Sequence, residues 1–154
     1  MGWVRPVSAT FIEINLSGDD VLSVFNQVGT FSQQPAAMLD EIGSYLDSDV
    51  AKRFYEGKAP DGSKWLVSQR AEAENGKTLV DTSILSKSVT HEVRAQNLVH
   101  GLTEKYAAIH QFGGKAGRGK RVTIPKREII GITPVQQSRI DKICLRWVES
   151  WFPK

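Results

Sequence analysis

Between Gln34 and Glu56 an apolar side chain returns every fourth residue: Met38, Ile42, Leu46, Val50 and Phe54, with Leu39 widening the stripe. That recurrence fits one face of a long helix and no strand. Pro35 suits the first helical position and Gly57 the stop. A stripe of this kind is core rather than cofactor pocket, so the rest of the chain must be arranged to cover it. At 154 residues the chain is expected to form one domain, residues 1–154, around one sizeable core.

The cover is legible in part. Thr10 to Leu16 alternates, with Ile12, Ile14 and Leu16 on one face, as a half-buried strand does. A short helix follows, capped at Ser17 or Gly18, with Val21, Leu22, Phe25 and Val28 as its apolar side. Lys58 to Lys77 reads as loop with a short helix around Ser68 to Glu74. After Ile84-Leu85, Val89, His91 and Val93 alternate, then Leu98, His100 and Leu102, with a polar turn at Ala95 to Asn97 between them. That is a β-hairpin pattern. Thr133, Pro134 and Gln136 form a capping box for a last helix, whose stripe is Ile140, Ile143, Cys144, Trp147 and Trp151. The fold class expected is α+β: a small antiparallel sheet with a β-hairpin, packed by two main helices, with a long flexible basic loop.

That loop lies within Tyr106 to Thr133, YAAIHQFGGKAGRGKRVTIPKREIIGIT. No acidic residue stands between Glu104 and Glu128, while seven lysines and arginines from Lys105 to Arg127 carry +7. Within a total of +3, the remainder of the chain carries −4. A mildly acidic body with one cationic segment attracts anionic surfaces over about 8–10 Å.

Several chemistries are excluded. Gly114 to Lys120 spells G-x-x-x-x-G-K, but Arg121 replaces the required Ser or Thr, and an extended Val-Thr-Ile-Pro follows where a P-loop needs a helix. His91 and His100 face each other across the hairpin without a third ligand, a poor metal site. No nucleophile-elbow motif is present, and Asp40–Glu41 and Asp47–Asp49 read as the solvated face of the long helix. We therefore expect no catalytic, cofactor-binding or metal residues. Cys144 is the one cysteine, which excludes an internal disulfide and fits a reducing cytoplasm. No apolar run approaches the roughly 20 residues of a membrane span, and the N-terminus lacks the apolar core of a secretory signal. The rival to an assembly role is nonspecific nucleic-acid binding by the basic Gly-rich loop, although aromatic residues are sparse around it.

Four segments resemble, in order, the phage virion morphogenesis family, which includes the tail-completion proteins of Mu-like phages and prophages. Pro60-Asp61-Gly62-x-x-Trp65 matches its P-D-G-x-x-W signature, and Leu79 to Ser88 its "L-x-x-T/S-x-x-L-x-x-S" stretch. Tyr106 to Gly114 is very close to its Y-A-x-I-H-Q-x-G-G core, and Ile124-Pro125-x-Arg127 matches I-P-x-R. Where the family continues P-F-L-G, this chain has Glu128, Ile129, Ile130 and Gly131.

The resemblance implies a non-enzymatic structural protein that completes the tail or joins tail to head. Its expected place is the virion, after assembly in the bacterial host cytoplasm. Expected partners are itself, in a ring such as a hexamer, and other tail or neck proteins. On this basis the assembly surface is assigned to the basic loop and its flanks: His110, Gln111, Gly113, Gly114, Lys115, Arg118, Lys120, Arg121 and Arg127. Pro60, Asp61, Gly62, Trp65, Tyr106 and Pro125 are assigned a structural part. Tyr106 to His110 is expected as a helical turn, Trp65 as a core residue, and His110, Gln111 and Arg127 as braces across the loop. The loop's glycines make it costly to order in a lone subunit, a cost that a neighbouring chain offsets.

Overall fold

A computed structural model describes residues 10–15, 35–95 and 97–151. The expected helix after Ser17 and the end of the chain at Phe152 lie outside the described residues. In chain order the elements are β1 (Thr10–Asn15), α1 (Pro35–Glu56), α2 (Gln69–Ala73), α3 (Ile84–Lys87), β2 (Val89–Arg94), β3 (Asn97–Leu102), α4 (Ala107–Phe112), β4 (Gly114–Ala116), β5 (Val122–Ile124) and α5 (Pro134–Trp151). The α+β class is as expected.

At 1.5 Å per residue, the 22 residues of α1 run about 33 Å. The structure covers its stripe in two halves. Met38, Leu39, Ile42 and Leu46 pack with Leu98 of β3 and with Ile140 and Ile143 of α5. Val50 and Phe54 pack with Trp65, Leu85, Leu102, Ala107, Ile129 and Ile130. The five stripe residues are all 3% exposed or less. One half of the α5 capping box forms: the Thr133 amide donates to the Gln136 side-chain oxygen at 3.0 Å, and the Thr133 hydroxyl donates to that same oxygen.

The sheet orders β1-β3-β2, all antiparallel. Directly opposed residues share a face. Val89 opposes Leu102, His91 opposes His100 and Val93 opposes Leu98. His100 therefore shares a face with buried Leu98 and Leu102, and is itself only 3% exposed.

The acids of α1 are not a purely solvated face. Asp47 bonds His91 and approaches His100: one carboxylate oxygen lies 2.7 Å from His91 Nδ1, while the other lies 3.1 Å from His100 Nε2 without hydrogen-bond alignment, so that among the described residues these two buried atoms have no hydrogen-bond partner. Asp40 lies 3.2 Å from His91 Nε2. Glu41 accepts from Trp147 Nε1 of α5 at 2.8 Å and pairs with Arg146. These contacts fix the roll of α1 against sheet and partner helix. Sequence periodicity does not reveal them, because an acid on the flank of an apolar stripe is ordinarily solvated.

His91 lies flat on Gly43, where a Cβ would come within 2.2 Å of the ring. Burial lowers the pKa of His91, but Asp47 and Asp40 outweigh it and the net shift is upward. Burial pushes His100 the other way. The stability that His91 adds is thus fully present below its ordinary value of about 6.5 and lost as pH rises through the folded value. His100 does the reverse, favouring the fold above about 6.5 and weakening it as pH falls. Gly43→Ala should displace the His91 ring and remove its part, while easing the downward push that the His91 charge adds at His100. Its deficit against wild type in urea unfolding should therefore be larger at about pH 5.5 than at about pH 8.

Candidate functional site

The glycine-rich segment is a ribbon rather than an unstructured loop. Gly114 pairs with Ile124, Lys115 with Thr123 and Ala116 with Val122, and a single 3-10 turn at Arg118–Lys120 closes the tip. Lys115, Arg118, Lys120 and Arg121 are exposed, as is Gly114. Among the described residues Lys126 pairs with Glu128 at 2.9 Å, whereas those four cations have no carboxylate within 4.0 Å.

The base of the ribbon is built differently. Residues 127–131 belong to no helix or strand, yet Ile129 and Ile130 are 0% and 1% exposed. Buried backbone needs hydrogen-bond partners, and here side chains supply them. Gln111, on α4, accepts from the amides of Ile129 and Ile130 at 2.8 and 3.1 Å and donates to the Ile130 carbonyl at 2.7 Å. Arg53, on α1, donates to the carbonyls of Ile129 at 2.8 Å and Gly131 at 3.2 Å while pairing with Asp49. Trp65 Nε1 donates to the Glu128 carbonyl at 2.9 Å.

Trp65 is delivered by a tight turn. Ala59 to Gly62 reverses the chain, with the Gly62 amide on the Ala59 carbonyl at 2.9 Å. Proline second and glycine fourth suit such a turn. The Ser63 hydroxyl and amide both donate to Asp61, holding its carboxyl below the ordinary range. Three residues on, Trp65 meets Phe54 edge to face with ring centroids 5.5 Å apart, and is 6% exposed. Pro60 in turn backs onto Gly131, where a Cβ would lie 3.0 Å from Pro60 Cγ.

The two ends of the ribbon meet at its foot. The Arg127 amide donates to the His110 carbonyl at 2.7 Å, and Arg127 Nε donates to the Leu66 carbonyl at 2.7 Å. Gly113 leaves α4 with φ 74° and ψ 174°, pressed against the backbone of Lys126. Three motifs distant in sequence thus converge on one short segment.

A profile of the phage virion morphogenesis family matches residues 16–149. The chain belongs to the phage virion morphogenesis family. It is 36% identical over 129 residues to the Mu-like prophage FluMu G protein 2 of Haemophilus influenzae, covering 84% of this chain and 88% of that protein. It is 26% identical over 121 residues to tail completion protein S of Escherichia phage P2, covering 71% and 81% of the two chains. No solved structure matches it.

The family motifs divide by position in this virion morphogenesis protein. Gln111 and Arg127, assigned to the assembly surface from the resemblance, are 6% and 5% exposed and bonded to their own chain. His110 is half-buried; its carbonyl, not its ring, makes the brace. Gly113 is at the foot, Pro125 is half-buried, and Tyr106 precedes α4, which forms as the expected helical turn. The exposed candidates are Gly114, Lys115, Arg118, Lys120 and Arg121. Sequence reasoning missed Arg53. It flanks Val50 and Phe54 on the stripe, where a cation is usually a surface residue with its stem laid over the core.

Proposed function

We propose that this chain is a non-enzymatic structural component of tail completion, and that it self-associates into a ring through the cationic ribbon. The observation that carries the proposal is the ribbon's charge. Four exposed cations, without counter-ions among the described residues, stand on a built two-stranded support, on a chain whose remainder is net acidic. A contact between such unlike surfaces is head-to-tail, and head-to-tail contacts close into rings when the rotation permits. The relative in phage P2 is named a tail completion protein, which supports that stage of virion assembly and a place in the finished particle.

The same cations suit a phosphate backbone, so the test has two arms. Wild type should sediment as a concentration-dependent oligomer. The fourfold reversal Lys115→Glu, Arg118→Glu, Lys120→Glu, Arg121→Glu should remain a folded monomer and fail to complete tails. Unchanged sedimentation of that variant would remove the ribbon from the interface. A monomeric wild type that binds duplex DNA, with log affinity falling about 0.9 per phosphate contact against log salt, would favour the nucleic-acid alternative.

A further inference from the structure

Arg127 is a buried cation that the fold leaves half used. Its Nε holds the Leu66 carbonyl, but among the described residues its two terminal nitrogens have no acceptor and no carboxylate lies within 4.0 Å. Burial alone lowers its pKa, with no acid opposing the shift. Those two nitrogens are not sealed from solvent, so water serves them where no better-matched acceptor is present.

Arg127 does not face closed core. It lines a groove of about 340 Å³ between the Ser68–Leu85 segment and α4, together with Tyr106 and His110. Among the described residues His110 has its Nδ1 buried without a partner, and burial followed by the Arg127 charge lowers its pKa, favouring the neutral ring. The groove's walls are mixed. Ile84 and Tyr106 are 51% and 43% exposed, and Leu66 and Val67, just before the groove residue Ser68, are about two-thirds exposed.

We propose that this groove is a docking site for a protein segment that presents one carboxylate flanked by apolar side chains. The carboxylate pairs with the Arg127 fork, a planar donor pair matched to a two-oxygen acceptor. The apolar neighbours cover Ile84 and Tyr106. A nucleic-acid backbone fits less well, because exposed Asp81 stands in the same groove, 3.8 Å from Arg70, and repels a second phosphate. The groove lies at the foot of the ribbon, not on it, so the inference does not depend on ring formation.

The test is an NMR titration of the isotope-labelled full chain with two peptides, Ac-Leu-Asp-Leu-NH2 and Ac-Leu-Asn-Leu-NH2. The Asp peptide should saturably shift the Arg127 Nε–H and His110 ring signals, binding about tenfold more tightly than the Asn peptide. Arg127→Lys keeps the charge but loses the fork, and should erase that preference. In case Arg127 is needed for folding, Ile84→Glu places a competing carboxylate at the exposed mouth and should erase it too, with every anchor intact. The ribbon-reversed variant should bind the Asp peptide as wild type does, which separates this site from the self-association surface. Equal shifts with both peptides would overturn the proposal. So would inorganic phosphate titrating the same signals as tightly as the Asp peptide, which would mark a site for isolated anions such as a phosphodiester.

Discussion

Gln111→Met should lower stability by about 3–5 kcal/mol, read as a fall in the urea midpoint. The substitution keeps length and approximate volume, so packing changes little. What it removes is an amide that serves three buried backbone groups at once: two N–H donors and one carbonyl. Each orphaned group costs on the order of 1–3 kcal/mol, and neighbours in one network do not add fully. Gln111→Glu separates the donor from the acceptor function. A carboxylate still accepts from Ile129 and Ile130 but opposes the Ile130 carbonyl, so that variant should recover stability as pH falls and the acid protonates. A loss under about 1 kcal/mol in the Met variant would mean that water or backbone movement serves these groups instead.

Gly113→Ala should cost about 2–4 kcal/mol and also abolish assembly. Its backbone conformation is one that essentially glycine alone adopts. A Cβ there would lie 2.9 Å from the Lys126 amide nitrogen and 3.2 Å from the Ile124 carbonyl oxygen. Both are backbone atoms, fixed by the β4–β5 pairing and by the Arg127–His110 bond, so neither can swing aside. Relief requires tilting the ribbon away from α4. Gly117→Ala is the control: it has nearly the same conformation, φ 78° and ψ 178°, but a Cβ there meets only the Val122 side chain at 3.5 Å, so its loss should be smaller and its sedimentation like wild type. Equal losses at the two positions would mean that backbone strain, not crowding at the foot, sets the cost.

Much of the frame was legible because it is periodic. The four-residue recurrence of α1, the paired alternations of β2 and β3, and the capping box of α5 are local signals, and each formed where those signals lie. The foot of the ribbon was not legible, for a physical reason. Arg127 to Gly131 has no periodicity, since its backbone is satisfied by side chains from α1, the Pro60 turn and α4 rather than by its own neighbours. Gln111 and Arg127 read as surface residues because polar side chains are seldom so buried, and only the motif order marked them as special. The ribbon was half legible: Val122 to Pro125 read as extended and forms the second strand, whereas the glycines and cations of the first strand and tip read as solvated loop. Asp47 was hidden by its position on the polar flank of α1, since its partners, His91 and His100, lie more than forty residues further along the chain.

The anchors of that foot come from 76, 63 and 18 residues away along the chain. Contacts of such span close late, because their loops are entropically expensive until everything between them is in place. A copy that has not finished folding therefore has no rigid prong to offer its neighbours. If the ribbon is the contact, as proposed, maturity of the subunit and competence to join the particle become the same event.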